Sequence, residues 1–238
     1  MFEVISRKFQ LKFKDRAAAG SVLAEILKNS IKKENLQFLV VLGVPRGGVV
    51  TADSVARKLS NVAFKSVEFD LILPRKLTDR DNKEQAIGAI MEDGTAYLDE
   101  ELIKVLRITS EYLEKEKAEK MLEIKRRNML YSAYRPNYQY EHLREKAVIL
   151  VDDGSATGAT LIAAARWLRT KYTPKRLFIA VPIAPKNTVK LLERECDTVR
   201  VIINPTSIFR SVEQFYHNFQ QVSDDMVVEI LKTRNMSM

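Results

Sequence analysis

The sequence predicts an α/β protein with a mostly parallel central sheet flanked by helices. Its short runs of Val, Ile, Leu and Phe, each stopped by Gly, Pro or Asp, are nearly continuous instead of alternating. Such runs are typical of strands that are covered on both faces. Segments with helical spacing lie between most of the runs, and this alternation is the pattern of a parallel sheet with right-handed crossovers.

The elements follow one another along the chain without an internal repeat or a linker of low complexity. The expected strands are Phe38–Leu42, Val67–Leu73, Ala147–Val151, Leu177–Val181 and Val199–Ile203. The expected core helices are Arg16–Asn29, Gly48–Leu59, Ala159–Thr170 and Asn187–Arg194. Asp15 stands where it can cap the first helix. We expect residues 1–238 to form one domain.

A long charged stretch interrupts this rhythm between the second and third strands. The spacing predicts a single helix from Asp99 to about Tyr131, with favourable pairs of acids and bases four residues apart. The residues expected to share its apolar face are Leu102, Val105, Leu106, Tyr112 and Leu113. We interpret residues 74–146 as a flexible loop and a helical insertion, which could serve as a lid, a dimer arm or a solvated surface helix.

Composition narrows the classes of partner. Lys and Arg number 39 against 31 for Asp and Glu, a formal charge of +8, which favours an anionic partner: nucleic acid, anionic lipid or a phosphorylated small molecule. The single cysteine, Cys196, excludes an internal disulfide and a multi-cysteine metal site, and fits a reducing cytoplasm. With no apolar run able to span a bilayer and charges where a signal peptide needs apolar residues, we expect a cytoplasmic protein that does not enter membranes.

The segment after the third strand predicts a phosphate site, because ligands bind beyond the carboxyl ends of parallel strands. Residues from Ser155 to Thr160 are small and polar and lead directly into a helix, so their backbone N–H groups can form a nest at the positive end of the helix dipole. Asp152 and Asp153 would repel a phosphate but can accept hydrogen bonds from a sugar diol. A ribose 5-phosphate supplies both groups.

The first two strands are followed by residues suited to further phosphates. Gly47 and Gly48 allow close approach of backbone N–H groups, and Arg46 offers a fork of donors. Pro74-Arg75-Lys76 follows the second strand. Neither the P-loop motif nor the dinucleotide motif G-x-G-x-x-G is present, so these two nucleotide folds are not supported.

The run Val148–Thr160 closely resembles the 5-phosphoribosyl-1-pyrophosphate (PRPP) binding motif of type I phosphoribosyltransferases: apolar residues, two acids, then a small-residue loop ending Thr-Gly-x-Thr. Further stretches look like those of a subfamily of predicted phosphoribosyltransferases without an assigned acceptor: Phe13–Gly20, Val44–Gly48, Ala86–Ala89 and Phe215–Asp224. The resemblance implies the type I phosphoribosyltransferase fold with a small hood and, by analogy, a homodimer.

The resemblance also implies a reaction, in which PRPP bound with Mg²⁺ gives its 5-phosphoribosyl group to a nitrogen acceptor, such as a nucleobase, and releases pyrophosphate. It assigns to the 5-phosphate Gly154, Ser155, Ala156, Thr157, Gly158, Ala159 and Thr160. It assigns to the pyrophosphate Val44, Pro45, Arg46, Gly47, Gly48, Arg75 and Lys76. Asp152 and Asp153 would bind the ribose hydroxyls and contact the metal indirectly, and together with Arg46 and Lys76 they are the expected catalytic residues.

Some interpretations stay open. Residues 75–86 match the flexible loop that closes over the diphosphate, although Asp79, Arg80 and Asp81 stand where related sequences tend to have Gly and Pro. The aromatic residues Phe215, Tyr216 and Phe219 could stack on a base or pack against the core. The alternative function is a regulator of the same fold that senses PRPP or a nucleotide and binds nucleic acid, which the charge of +8 motivates. A hydrolase of phosphorylated sugars is the weakest hypothesis, because no nucleophile and base form a visible pair.

Overall fold

A parallel sheet of five strands forms the centre of the computed structural model, which describes residues 12–62, 64–135, 140–205 and 209–235. The strands are β1 (Phe38–Gly43), β2 (Ser66–Leu71), β3 (Arg75–Thr78), β4 (Ala86–Ile90), β5 (Ala96–Leu98), β6 (Ala147–Val151), β7 (Arg176–Ile183) and β8 (Thr198–Ile203). The helices are α1 (Arg16–Lys33), α2 (Gly47–Ser60), α3 (Glu100–Val105), α4 (Ser110–Ser132), α5 (Ala159–Lys171), α6 (Lys186–Leu192) and α7 (Asp224–Asn235). The central sheet has the order β2-β1-β6-β7-β8, and all of its pairs are parallel. The predicted fold class and all five predicted strands are confirmed.

Both faces of the sheet are covered, which explains why its strands read as continuous apolar runs. Leu39 and Val41 of β1 pack into a cluster with α1, α2 and α7, whereas Val40 and Leu42 pack into a second cluster with α5. All five residues of β6 are buried. Since side chains alternate between the faces of a strand, burial on both sides requires an apolar residue at each position.

The four predicted core helices are present, and the expected cap of the first is confirmed. The backbone N–H of Ala18 donates to the Asp15 carboxylate at 2.8 Å. That bond satisfies one of the N–H groups that the first turn of a helix leaves unpaired. Within the described residues, no helix has the length and apolar character needed to cross a bilayer.

The prediction of one helix from Asp99 to Tyr131 is wrong, because the chain forms the separate helices α3 and α4 there. Asp99 caps α3 by accepting from the N–H of Leu102, and Thr109 caps α4 by accepting from the N–H of Tyr112. Val105, which was expected on the apolar face, is 76% exposed. Two capping residues ten positions apart outweigh the continuous helical spacing.

The antiparallel sheet β3-β4-β5 and helix α7 were not predicted. The first strand of this small sheet, Arg75–Thr78, lies within the stretch that was interpreted as a flexible loop. Its strands have three to five residues, too short for a periodicity signal. The single domain over 1–238 and the insertion bounds 74–146 stay predictions.

Candidate active site

The order of the central sheet places a crevice where the sequence predicts the site. Strand β1 has β2 on one side and β6 on the other, so the connections after β1 and β6 leave in opposite directions and open a gap at the carboxyl edge. A pocket of about 650 Å³ lies there. It is lined by residues from all three predicted segments, those following β1, β2 and β6.

Most of the predicted site residues line this pocket, and two do not. From the segments after β1 and β2 it is lined by Val44, Pro45, Arg46, Gly47, Arg75 and Lys76. From the segment after β6 it is lined by Asp152, Asp153, Gly154, Ser155, Ala156, Thr157, Gly158 and Thr160. Gly48 is buried against Asp152, and Ala159, the first residue of α5, is buried in the core.

The turn before α5 has the geometry of an anion site. Gly158 adopts a left-handed backbone with φ of +83° and caps the helix, a conformation that glycine takes without strain. The N–H of Ser155 donates to the Ile183 carbonyl at 2.8 Å, and the Thr188 hydroxyl donates to the Ala156 carbonyl at 2.6 Å. These bonds hold the turn to β7 and α6. Among the described residues, none accepts a hydrogen bond from the N–H groups of 156–158, which stay available at the helix N-terminus.

The two acids ahead of this turn, Asp152 and Asp153, both line the pocket wall. Asp152 accepts a hydrogen bond from the backbone N–H of Asp153 at 2.8 Å. Burial, and then the neighbouring charge of Asp153, raise the pKa of Asp152 well above its usual range, while the charge of Lys76 acts in the opposite direction. Such a pair is stabilised by hydroxyl donors or by a cation.

Arg16 fixes the orientation of Asp153, a role that the sequence did not reveal. Its Nε donates to Asp153 Oδ2 at 2.6 Å, its Nη1 donates to the Gln220 carbonyl at 2.8 Å, and its guanidinium lies 3.7 Å from the centre of the Phe219 ring. The Tyr216 hydroxyl donates to the Asp153 carbonyl at 2.6 Å. The stretches 13–20 and 215–224, which resemble the subfamily without showing a ligand role, therefore meet at this aspartate. The resemblance of these two stretches to the subfamily was the sequence signal that could have indicated a role for Arg16.

Of the three aromatic residues that could stack on a base or pack against the core, two pack against the core and one lines the pocket. Phe215 and Tyr216 are buried and pack with Ala19 and Ile183, as the packing interpretation predicts. Phe219 lines the pocket. The segment 209–223 contributes further lining residues and contacts Asp153 through the Tyr216 hydroxyl.

The loop after β1 touches the acid pair directly. A Cβ atom built on Gly47 would lie 1.9 Å from Asp153 Oδ2 and 2.8 Å from the Nε of Arg16. Only glycine leaves room for this contact, so the loop and the acids form one surface. The preceding peptide bond, between Pro45 and Arg46, is cis. Within the described residues the Arg46 guanidinium has no hydrogen bond or ion pair, and it lines the pocket.

Helix α4 holds the segment after β2 in place. The Glu116 side chain, which is 2% exposed, accepts from the backbone N–H of Thr78 at 3.0 Å and from its hydroxyl at 2.8 Å. The Tyr112 hydroxyl donates to the Thr78 carbonyl at 2.8 Å. Arg80 is exposed and Lys83 donates to Tyr112 at 3.1 Å, and neither lines the pocket. Arg75 and Lys76, the preferred candidates in this stretch, both line it.

The acid pair fits an ion that takes most of its ligands from a substrate. Within the part of the chain that the structure describes, no group of three or more His, Cys, Asp or Glu side chains could form a complete metal site. Mg²⁺ is commonly held by one or two carboxylates together with waters and substrate phosphates. Asp152 and Asp153 supply carboxylates of this kind beside the turn that precedes α5.

Comparisons with known proteins show the family of the chain. The family model of the phosphoribosyl transferase domain matches residues 11–220. Two Mycobacterium tuberculosis proteins with provisional phosphoribosyl transferase names, from strains CDC 1551 and H37Rv, are 34% identical over 219 residues, or 92% of this chain. The chain spans 46%, about half, of the length of these curated relatives.

A solved structure matches along nearly its whole length. The crystal structure of TT1426 from Thermus thermophilus is similar at 36% identity with a TM-score of 0.71, over 94% of this chain and 99% of that one. The family model covers most of the chain as well, and the residues that it spans include the turn before α5, the acid pair and the loop after β1. The chain belongs to the phosphoribosyl transferase domain family.

Proposed function

We propose that this protein binds PRPP with Mg²⁺ and transfers the 5-phosphoribosyl group to a nitrogen acceptor, such as a nucleobase, releasing pyrophosphate. The observation that carries the proposal is the contact between Gly47 and the Asp153 carboxylate, which joins a loop suited to a diphosphate to acids suited to a ribose. The free N–H groups of 156–158 lie in the same pocket. A sugar phosphate that carries a diphosphate at its other end matches these three parts.

Each part has a distinct task in the transfer. The turn at 154–160 holds the 5-phosphate, and Asp152 and Asp153 accept hydrogen bonds from the ribose hydroxyls. The acceptor nitrogen forms a bond to the anomeric carbon with its lone pair, and the bond from that carbon to the diphosphate oxygen breaks. The pyrophosphate leaves with the electron pair, and Arg46 and Lys76 stabilise the negative charge that develops on it.

No covalent nucleophile from the protein takes part. When bound, Mg²⁺ would supply further positive charge to the diphosphate, and Asp152 and Asp153 are the residues that would hold it, through the ribose or through water. Preorganised positive charge in a shielded cleft is worth more than the same charge in water. The pocket wall includes largely buried side chains, such as those of Arg16 and Asp153, which are 10% and 16% exposed.

The distribution of charge favours a small anionic ligand over nucleic acid. The pocket is lined by seven cationic against four acidic side chains. Many basic residues elsewhere pair with acids, as Arg166 does with Glu195 at 2.7 Å and Arg176 with Glu34 at 2.6 Å. Part of the positive surplus of the chain therefore lines the pocket where PRPP would bind. A cytoplasmic location stays an expectation of the composition, and a homodimer stays an expectation of the resemblance.

Calorimetric titration and turnover of an Arg46 variant test the proposal. The protein should bind PRPP in the presence of Mg²⁺, and a panel of nucleobases should reveal one that supports pyrophosphate release. Arg46→Ala should lower that turnover about 10²–10³-fold, the loss typical of one charge-stabilising donor. It should leave the fold intact, because the side chain makes no hydrogen bond or ion pair with the described residues.

Arg57→Ala is the matched control, since Arg57 is half-exposed on α2 and pairs only with Asp53 among the described residues. Its turnover should stay near that of the wild type. Absence of PRPP binding by the wild-type protein, or wild-type turnover in Arg46→Ala, would contradict the proposal.

A further inference from the structure

Helix α4 carries a buried arginine to the wall of the pocket. Arg127 is 5% exposed and lines the pocket, and its Nε and Nη1 atoms have no hydrogen-bond partner among the described residues. The nearest acids are Glu123 at 3.6 Å and Asp224 at 3.8 Å, too far for hydrogen bonds. Because a buried donor without a partner is costly, these N–H groups are expected to have a partner in the working protein.

Arg75 presents a second guanidinium beside the first. Its Nη2 donates to Glu123, while its buried Nε has no hydrogen-bond partner among the residues described. One carboxylate is thus shared by two arginines. Burial and the charge of Arg75 lower the pKa of Arg127, so the two guanidinium groups repel each other when no ligand is bound. An anion between the two guanidinium groups would relieve that repulsion and satisfy the free donors.

The position of this pair shows which part of a substrate it faces. Arg75 precedes Lys76, whose charge reaches Asp152. On the other side, the charge of Arg46 acts on Tyr131 and Asp224, which contact each other and lie beside Arg127. Arg127 therefore lies on the same side of the pocket as Arg46 of the loop after β1.

We propose that Arg127 and Arg75 form an anion subsite for the terminal phosphate of the diphosphate group. This inference rests on the proposed function and deepens it, because it gives α4 a role in substrate binding. Helix α4 has few buried residues, and in this proposal one of them, Arg127, supplies a guanidinium to the leaving group. The two planar guanidinium groups can each donate to phosphate oxygens.

Titration of two ligands into an Arg127 variant tests the subsite. In Arg127→Gln, the dissociation constant for magnesium pyrophosphate should rise about tenfold or more, because charge-assisted hydrogen bonds are lost. The constant for ribose 5-phosphate, which lacks a diphosphate, should stay within about twofold. Arg126→Gln removes the same charge from a neighbouring, exposed position and should change neither constant. Pyrophosphate affinity of Arg127→Gln within about twofold of the wild type overturns the subsite.

A Glu123 variant separates ligand binding from a purely structural role. Glu123→Gln removes the carboxylate that competes with an incoming anion for both arginines, so pyrophosphate should bind more tightly although the ligand-free protein loses stability. Weaker or equal pyrophosphate binding in Glu123→Gln contradicts the subsite, and this measurement decides the matter if Arg127→Gln does not fold. A wild-type protein that binds neither pyrophosphate nor ribose 5-phosphate would instead refute the proposed function.

Discussion

The Arg16–Asp153 contact offers a direct test of how the site is built. Arg16→Gln keeps a long polar side chain but removes the charge that faces Asp153 at 2.6 Å, the bond to the Gln220 carbonyl at 2.8 Å and the stacking on Phe219. The side chains of Arg16 and Asp153 are 10% and 16% exposed. The substitution therefore leaves a largely buried carboxylate beside Asp152 without its cation.

The expected loss of stability follows from this geometry. Breaking a buried ion pair by removing one partner costs about 3–5 kcal/mol, and the lower value applies because the pair borders an open pocket. For a protein of this size, a loss of about 3 kcal/mol lowers the melting temperature by about 6–12 °C. Ribose 5-phosphate should also bind more weakly, since Asp153 is then free to turn away from the ribose position.

Thermal unfolding and a double-mutant cycle measure the effect. Arg57→Gln, which removes an exposed arginine paired with Asp53, should cost only about 0.5 kcal/mol. In the cycle with Asp153→Asn, the double variant should be more stable than the sum of the single losses predicts, by about 1 kcal/mol or more. A melting temperature of Arg16→Gln equal to that of Arg57→Gln, or a coupling energy near zero, would refute the reasoning.

Two further predictions concern the acid pair. Gly47→Ala places a methyl group 1.9 Å from Asp153 Oδ2, so the loop or the carboxylate must move, and turnover should fall about 10²-fold. Gly94→Ala is the control, because a Cβ atom at Gly94 has no atom within 4 Å. Since Gly94 has a φ of +89°, alanine should lower the free energy of unfolding by about 1 kcal/mol, without affecting turnover. Asp152→Asn should raise the melting temperature of the ligand-free protein at neutral pH. Burial and the charge of Asp153 raise the pKa of Asp152 in the folded protein above its value in the unfolded chain. At any pH above the unfolded pKa, the ionisation of Asp152 therefore opposes folding. The gain in melting temperature over the wild type should shrink as the pH falls below the folded pKa of Asp152, and a gain independent of pH would contradict the raised pKa. Binding of ribose 5-phosphate should be lost in this variant.

The sequence by itself determined the central sheet and the small-residue turn that precedes α5, because both are local patterns. Continuous apolar runs such as Ala147–Val151 predict strands covered on both faces, and the structure confirms them. The small residues after Asp153 and the helix that follows are adjacent in the chain, so their shared chemistry is visible without a fold. Helix ends were less certain, as the break between α3 and α4 shows.

Only the tertiary structure decided which distant side chains meet at the site. Arg16 lies 137 positions from Asp153, and only the packing of α1 beside the carboxyl edge brings them together. Arg127 is one of many cations on a charged helix, and its burial depends on how α4 packs against β3. A charged residue in sequence carries no sign of whether water or protein surrounds it, because burial is set by contacts between elements far apart in the chain.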